Sequence, residues 1–310
     1  MSDKATRAAY GETLVELVGE GMDVVAVDAD LSGSTTTKVL GDAYPGRLVN
    51  VGIAEQNMID VAAGLSLAGK VAFTGSFAVF GTGRVYDQIR NTVCYSKLNV
   101  KVAPTHSGIT VGPDGGSHQM LEDISLMRGL PNMRVLVPSD YQSAKAAVRL
   151  AAETPGPFYV RLGRAKVPQV YGPDDTFELG GSKVLREGGD VTIVACGVEV
   201  AHALRAADAL AEEGIAAEVI DAYSVKPLDA ATIVGSARKT GAVVTVEEHS
   251  VYGGLGSAVA ELLAGHQPTR MRIVGVDDVF GTSGEPDELF VEFGLDPASI
   301  ARAVKELLGR

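Results

Sequence analysis

Arg47-Leu48-Val49-Asn50-Val51 runs directly into Gly52-Ile53-Ala54-Glu55-Gln56-Asn57, and a small-residue stretch from Met58 to Ala68 follows. The first run has the branched apolar residues of a strand, and the last reads as a helix. Strand–turn–helix units of this kind build parallel sheets covered by helices. A carboxylate at such a junction lies near the helix N-terminus, where the helix dipole favours its anion. From this fragment alone, Glu55 reads either as a surface helix cap or as a functional carboxylate.

Working outward, the same alternation covers the chain. Strand-like runs are Asp23–Val27, Arg47–Val51, Val100–Ala103, Arg134–Val137, Phe158–Leu162, Val191–Ala195, Ala217–Ile220, Ala242–Val246 and Arg272–Val276, with helical patterns between most of them. This predicts an α/β chain with mostly parallel sheets flanked by helices. Ser139, with Gln142 three residues on, reads as a capping box that opens a helix. Asp296 before Pro297 opens the last helix, since Pro suits a first helical position. The most apolar stretch, Ile59 to Gly83, is interrupted by Lys70 and several glycines, so it reads as a buried Gly/Ala-rich core rather than a membrane span. Between Val167 and Gly181, Pro168, Pro173 and Gly180-Gly181 break all periodicity. We expect one unit over 1–170, a linker over 171–182 and a smaller α/β unit over 183–310.

The bulk numbers set further bounds. A chain of 310 residues has room for about two cores, and 46% hydrophobic with 21% charged residues is a globular composition. Met1 to Tyr10 is polar and carries no secretory signal. Cys94 and Cys196 lie far apart, in neither a metal-like spacing nor a disulfide framework, so a cytoplasmic setting is expected. The net charge of −12 argues against nucleic acid and anionic membrane as partners. An anionic substrate would therefore need locally placed cations.

Three further segments carry polar chemistry. Pro104 to Gln119 holds His106, Asp114 and His118 among many Gly and Pro, and two of the chain's 5 His fall there. Loops on an α/β scaffold are the usual place for such groups, which could bind metal, act as acid and base, or hold hydroxyls. The spacing fits no common zinc pattern. Arg161-Leu162-Gly163-Arg164 ends a strand, where two guanidiniums could clamp a phosphate. Tyr252-Gly253-Gly254-Leu255-Gly256 resembles a dinucleotide turn, but Val259 stands where the third glycine belongs, so close strand–helix packing is the better reading. Glu247, Glu248 and His249 read as interface or surface residues.

In order and spacing, these pieces resemble the pyrimidine-binding and C-terminal domains of transketolases over nearly the whole chain. The resemblance is carried by Ala5-Thr6-Arg7, Asp28-Ala29-Asp30-Leu31, Gly52 to Glu55, Phe77 to Phe80, His106, Gly112-Pro113-Asp114-Gly115-Gly116-Ser117-His118-Gln119, Pro138-Ser139-Asp140, and Arg164 with Pro168. It implies a thiamine-diphosphate enzyme that moves a two-carbon ketol unit between sugar phosphates. Glu55 would hydrogen-bond N1′ of the aminopyrimidine and favour the imino tautomer. That tautomer's nitrogen removes the thiazolium proton, and the resulting ylid attacks the ketose carbonyl. A carboxylate suits the role because it must share a proton with a ring nitrogen in a water-poor pocket. Phe77 and Phe80 match rings that pack against the pyrimidine, and Asp30 matches a residue near the cofactor and dimer contact. His118, the second catalytic candidate, would contact the carbonyl or hydroxyl end of the donor, and Asp114 a hydroxyl. Arg7, Ser34, His106 and Arg164 match the group that receives the sugar phosphate. Gly83 departs from the family, many members of which carry a third aromatic there.

The resemblance also implies a missing half. Transketolases hold the diphosphate through Mg²⁺ with a Gly-Asp-Gly motif, and this sequence has none. The chain begins with Met-Ser-Asp where the pyrimidine domain should begin. We therefore expect a split transketolase, in which an N-terminal subunit binds Mg²⁺ and the diphosphate, this chain supplies no metal ligand, and two of each subunit form an α2β2 heterotetramer. Related readings are a transketolase-like enzyme for an unusual sugar phosphate, a 1-deoxyxylulose-5-phosphate synthase, against which His106-Ser107 argues, and the β subunit of a 2-oxoacid dehydrogenase, for which the phosphate-binding group would have no purpose. A subunit that kept the fold without catalysis would have been free to lose Glu55, Asp114 and His118.

Overall fold

Val24-Val25-Ala26-Val27-Asp28 is buried at every position, as a strand covered on both faces must be. It lies within a seven-stranded sheet of the computed structural model, which describes residues 3–310; the Met1-Ser2 start lies outside them. From one edge the strands are Ser224–Lys226, Arg134–Leu136, Phe158–Val160, Val100–Val102, Val71–Gly75, Val24–Asp28 and Leu48–Asn50. Only the first pair is antiparallel. A second sheet runs Arg270–Val276, Ala242–Ser250, Val191–Ala195, Ala217–Asp221 and Lys183–Arg186, with only the last strand antiparallel. Helices flank both sheets, so the α/β architecture with mostly parallel strands is as expected. Among the described residues no helix is long and apolar enough to cross a membrane.

Every expected strand is present, Val191–Ala195 with the expected ends and the others with shifted ones. Three readings need correction. The stretch Ile59 to Gly83 is not one Gly/Ala core: it holds the rest of the helix Glu55–Leu67, the central strand Val71–Gly75 and a wide π-type turn, Val79–Gly83. That strand is covered on both faces, so it shows no period-2 alternation to read. The first helix of the opening motif starts at Glu55, not Met58. Asp140, not Ser139, caps the helix Tyr141–Glu153, accepting from the Ser143 amide at 2.8 Å. The Ser139 hydroxyl is engaged elsewhere, donating to Asp221 at 2.8 Å. Asp296 caps the last helix as expected, accepting from the Ala298 amide at 3.1 Å.

The two halves interlock. Ser224–Lys226 comes from the second half of the chain yet pairs with Arg134–Leu136 at the edge of the first sheet. Glu247, Glu248 and His249 are all buried, so the surface reading falls and the interface reading holds for Glu248 and His249. The Thr110 amide donates to Glu248 at 2.7 Å, Arg161 donates to the Glu248 carbonyl at 2.9 Å, and the Ser125 amide donates to His249 at 3.3 Å. Glu247 instead caps the helix Leu255–His266, accepting from the amides of Leu255 and Gly256 at 2.6 and 2.7 Å. A Cβ on Gly256 would sit 2.7 Å from Ile273 and 2.8 Å from Thr245, the close strand–helix packing expected of this turn.

Candidate active site

The candidate residues follow the C-terminal ends of neighbouring parallel strands of the first sheet: Asp30 and Ser34 after Val24–Asp28, Glu55 after Leu48–Asn50, Phe77 and Phe80 after Val71–Gly75, His106 after Val100–Val102, and Arg164 after Phe158–Val160. Ligands in open α/β sheets bind outside these ends. Arg7 comes from the first helix, Thr6–Gly19, and Asp114 and His118 from the long loop after His106.

Glu55 is no surface cap. It opens its helix with 4% of its area exposed, and its Oε1 accepts from Arg84 Nη1 at 2.9 Å. Arg84 was not anticipated, because it stands far from Glu55 in the chain and no local pattern links the two. Its guanidinium lies over the Phe80 ring, 4.4 Å from the centroid. At Gly83, where an aromatic was missed, the nearest atom to an added Cβ is the Met120 methyl at 3.9 Å.

The aromatic rings form one cluster. Phe77 stacks on His106 with centroids 3.8 Å apart, Phe80 lies 6.2 Å from Phe77, and His118 meets the edge of Phe80 at 5.5 Å. A bridge between Phe77 and Thr105 sets this stacking: the Ala78 amide donates to the Thr105 carbonyl at 2.8 Å, and the Thr105 amide to the Ser76 carbonyl at 3.0 Å. His106 has a φ of +61°, a strained conformation for a non-glycine residue and one met mostly at functional sites. Burial first, then the charges of Arg7, Arg164 and His118, push the His106 imidazole down to about 3. It is therefore neutral near pH 7 and works as a hydrogen-bonding group, 2.7 Å from the Thr105 hydroxyl.

The positive charge comes from the two arginines. Burial, and then the charge of Arg164, hold the Arg7 guanidinium below its ordinary value. Arg7 donates to the Ser34 carbonyl at 2.8 Å, so it is the Ser34 backbone, not its hydroxyl, that makes this contact. Arg164 donates to the Val111 carbonyl and lies 3.7 Å from the Asp114 carboxylate. Arg161, the other half of the suggested arginine clamp, is turned away and buried against Asp123 at 2.7 Å. Asp30 sits apart on the exposed rim with a φ of +64°, 3.4 Å from the Asn50 amide group. The buried carboxylate below it is Asp28, held by the hydroxyls of Thr35 and Thr37 at 2.8 Å each.

The loop Gly112–Gln119 is braced by the second half of the chain. Gln119 donates to the Ile109 carbonyl at 3.0 Å and to the Thr282 carbonyl at 2.9 Å. Gly116 packs so closely on the Gly281 carbonyl that any Cβ would overlap it. His118 is half-buried, 3.0 Å from the Ser117 hydroxyl.

The chain is similar to known proteins over nearly its whole length. The family models "Transketolase, pyrimidine binding domain" and "Transketolase, C-terminal domain" match residues 2–169 and 180–300. A protein named transketolase C-terminal section in Methanocaldococcus jannaschii is 49% identical over 98% of this chain and 96% of its own length. The 6-deoxy-6-sulfo-D-fructose transketolase subunit SqwH of a Clostridium species is 46% identical over 98% of this chain and 94% of its own. A solved structure described as a split gene transketolase, an inactive β4 tetramer, is 52% identical and covers 99% of both chains with a TM-score of 0.92. Human transketolase is 37% identical over 98% of this chain, which spans only 49% of the human protein. The chain belongs to the transketolase family and comprises its pyrimidine-binding and C-terminal domains.

Proposed function

We propose that this chain is the C-terminal subunit of a split transketolase, which transfers a two-carbon ketol unit between sugar phosphates and needs an N-terminal partner subunit for activity. The observation that carries the reading is the buried Glu55 carboxylate, linked through the Arg84 guanidinium to Phe80 and the Phe77–Phe80–His118 rings. A flat aminopyrimidine fits such a place: a ring face for stacking and a carboxylate for its ring nitrogen. Thiamine diphosphate, when bound, supplies the nucleophilic carbon that breaks the bond beside a ketose carbonyl. Glu55 holds the proton at N1′, Phe80 and Phe77 orient the ring and exclude water, and His118 meets the donor's oxygens. Arg7 and Arg164 hold the terminal anion, with neutral His106 and the Ser34 turn beside them. Asp114, paired with Arg164, tethers that guanidinium and reaches a sugar hydroxyl.

The partner supplies Mg²⁺ and the diphosphate site, in an α2β2 assembly. Supporting this, large apolar side chains stand exposed around the Glu55 helix: Ile53 at 79% and Leu67 at 75%, with Tyr95 at 84% on the neighbouring segment Gln88–Tyr95. A partner subunit docked on this helix and segment would cover them. The relative described as an inactive β4 tetramer points the same way, as does the half-length match to human transketolase. Units 1–170 and 183–310, joined by 171–182, are the corresponding domains.

The test is reconstitution with a Gly-Asp-Gly subunit from the same genome, thiamine diphosphate, Mg²⁺, xylulose 5-phosphate and ribose 5-phosphate. Two-carbon transfer must give a seven-carbon ketose phosphate and a three-carbon aldehyde phosphate, read by mass spectrometry. Decarboxylation of a 2-oxoacid in place of that transfer would overturn the reading. Two guanidiniums also suit a sulfonate, the group in the name of the Clostridium relative, so 6-deoxy-6-sulfo-D-fructose is run as a parallel donor.

A further inference from the structure

Glu55 and Phe80 share a partner within the chain. Arg84 Nη1 donates to Glu55 Oε1 at 2.9 Å, and the same guanidinium lies 4.4 Å from the centroid of Phe80. The Glu55 side chain is 4% exposed, whereas that of Arg84 is 47% exposed. The anchor is thus buried and fixed, and the cation is a long side chain with one flank in water, just beyond the wide turn Val79–Gly83. A flat, delocalised group stacked on Phe80 and hydrogen-bonded to Glu55 makes the two contacts that the proposed function gives to the aminopyrimidine. One carboxylate oxygen and one ring face serve one such group at a time.

We propose that Arg84 competes with the cofactor's aminopyrimidine for Glu55 and Phe80, and swings into solvent when the cofactor docks. This rests on the reading of Glu55 above. Until then Arg84 compensates a carboxylate that would otherwise be buried without a partner. Its departure is easy because the guanidinium is half in water already, and half-exposed ion pairs are weak. The apparent cofactor affinity is reduced by the fraction of molecules in which Arg84 stands aside.

The test is calorimetric titration of thiamine diphosphate, with Mg²⁺, into the reconstituted two-chain assembly, using native chain, Arg84→Met, Arg84→Gln, Arg84→Lys and Glu55→Gln. Arg84→Met and Arg84→Gln are expected to bind the cofactor about fivefold tighter or more. Arg84→Lys, which keeps the charge but loses the flat stack, should fall between them and the native chain. Tighter binding is a result that structural damage does not produce. Equal or weaker binding by Arg84→Met and Arg84→Gln, with Glu55→Gln still weakening the complex, overturns the competition and leaves the Glu55 reading standing. Native-strength binding by Glu55→Gln removes the Glu55 reading and the competition together.

Discussion

The two sheets are wound alike, but their strand ends are used differently. In the first sheet Asp30, Thr36 and His106 take positive φ in loops that follow strand C-terminal ends, Lys97 and Asn132 do so ahead of strands, and no other non-glycine residue does so among the described residues. In the second sheet the polar residues that close the strand Ala242–Ser250 are engaged inside the fold. Glu247 caps a helix, and Glu248 and His249 hold backbone amides of the first half. Strain of roughly 1–3 kcal/mol per residue persists only where the surroundings over-determine it. The second half supplies those surroundings, by way of Thr282, Gly281 and Glu248 beneath the His106–Gln119 loop. One sheet carries the proposed chemistry and the other braces it.

That division can be broken from either side. Glu55→Gln removes the proton-sharing group from the first sheet, and turnover of the reconstituted enzyme should fall by about 10²–10⁴ while the melting temperature barely moves. Arg7→Ala should raise KM for xylulose 5-phosphate by roughly 10–100-fold, the loss of one charge-assisted contact, and leave KM for unphosphorylated xylulose nearly unchanged. Equal effects on both donors would remove Arg7 from the anion site. Gly116→Ala acts on the brace: pushing the loop off Gly281 should destabilise the chain by about 1–3 kcal/mol in denaturant titration and weaken turnover as well.

The smallest effect is one of pH. Burial first, opposed by Arg161 and Thr110, raises the Glu248 carboxyl from 4.5 to about 7. Between those values the folded chain keeps a proton that the unfolded chain releases, so this group's stabilisation is full below 4.5 and is lost as pH rises to about 7. Glu248→Gln should remove a slope approaching about 1.4 kcal/mol per pH unit across that window. His106 acts with the opposite sign. Its value of about 3, against an ordinary 6.5, means stability is lost as pH falls from 6.5 towards 3. The opposing slopes separate the brace from the site in one series of pH-dependent melts, with His106→Asn as the matching variant.

The sequence displays what is local. The strand–turn–helix around Glu55, the concentration of His106, Asp114 and His118 in one loop, and the Asp296-Pro297 cap are each set within a few neighbouring residues. What it hides is set at long range. The central strand Val71–Gly75 has no alternation because both its faces are covered. Arg161 reads as a phosphate clamp until the fold turns it onto Asp123, and Glu248 reads as either interface or surface until the first half closes over it. Arg84 meets Glu55 only because the fold brings the turn after Val71–Gly75 to the start of the helix that follows Leu48–Asn50, although Val24–Asp28 separates the two strands. Such pairs depend on the path of the chain, which no spacing along it records.

The central claim is that this chain holds the pyrimidine half of a shared active site. Titrating the Gly-Asp-Gly partner into a fixed amount of this chain, with thiamine diphosphate, Mg²⁺ and both pentose phosphates present, tests it directly. The account predicts no two-carbon transfer without the partner, a linear rise to saturation at one partner per chain, and no rise with Glu55→Gln. Full turnover by this chain alone, or undiminished turnover with Glu55→Gln, would contradict it.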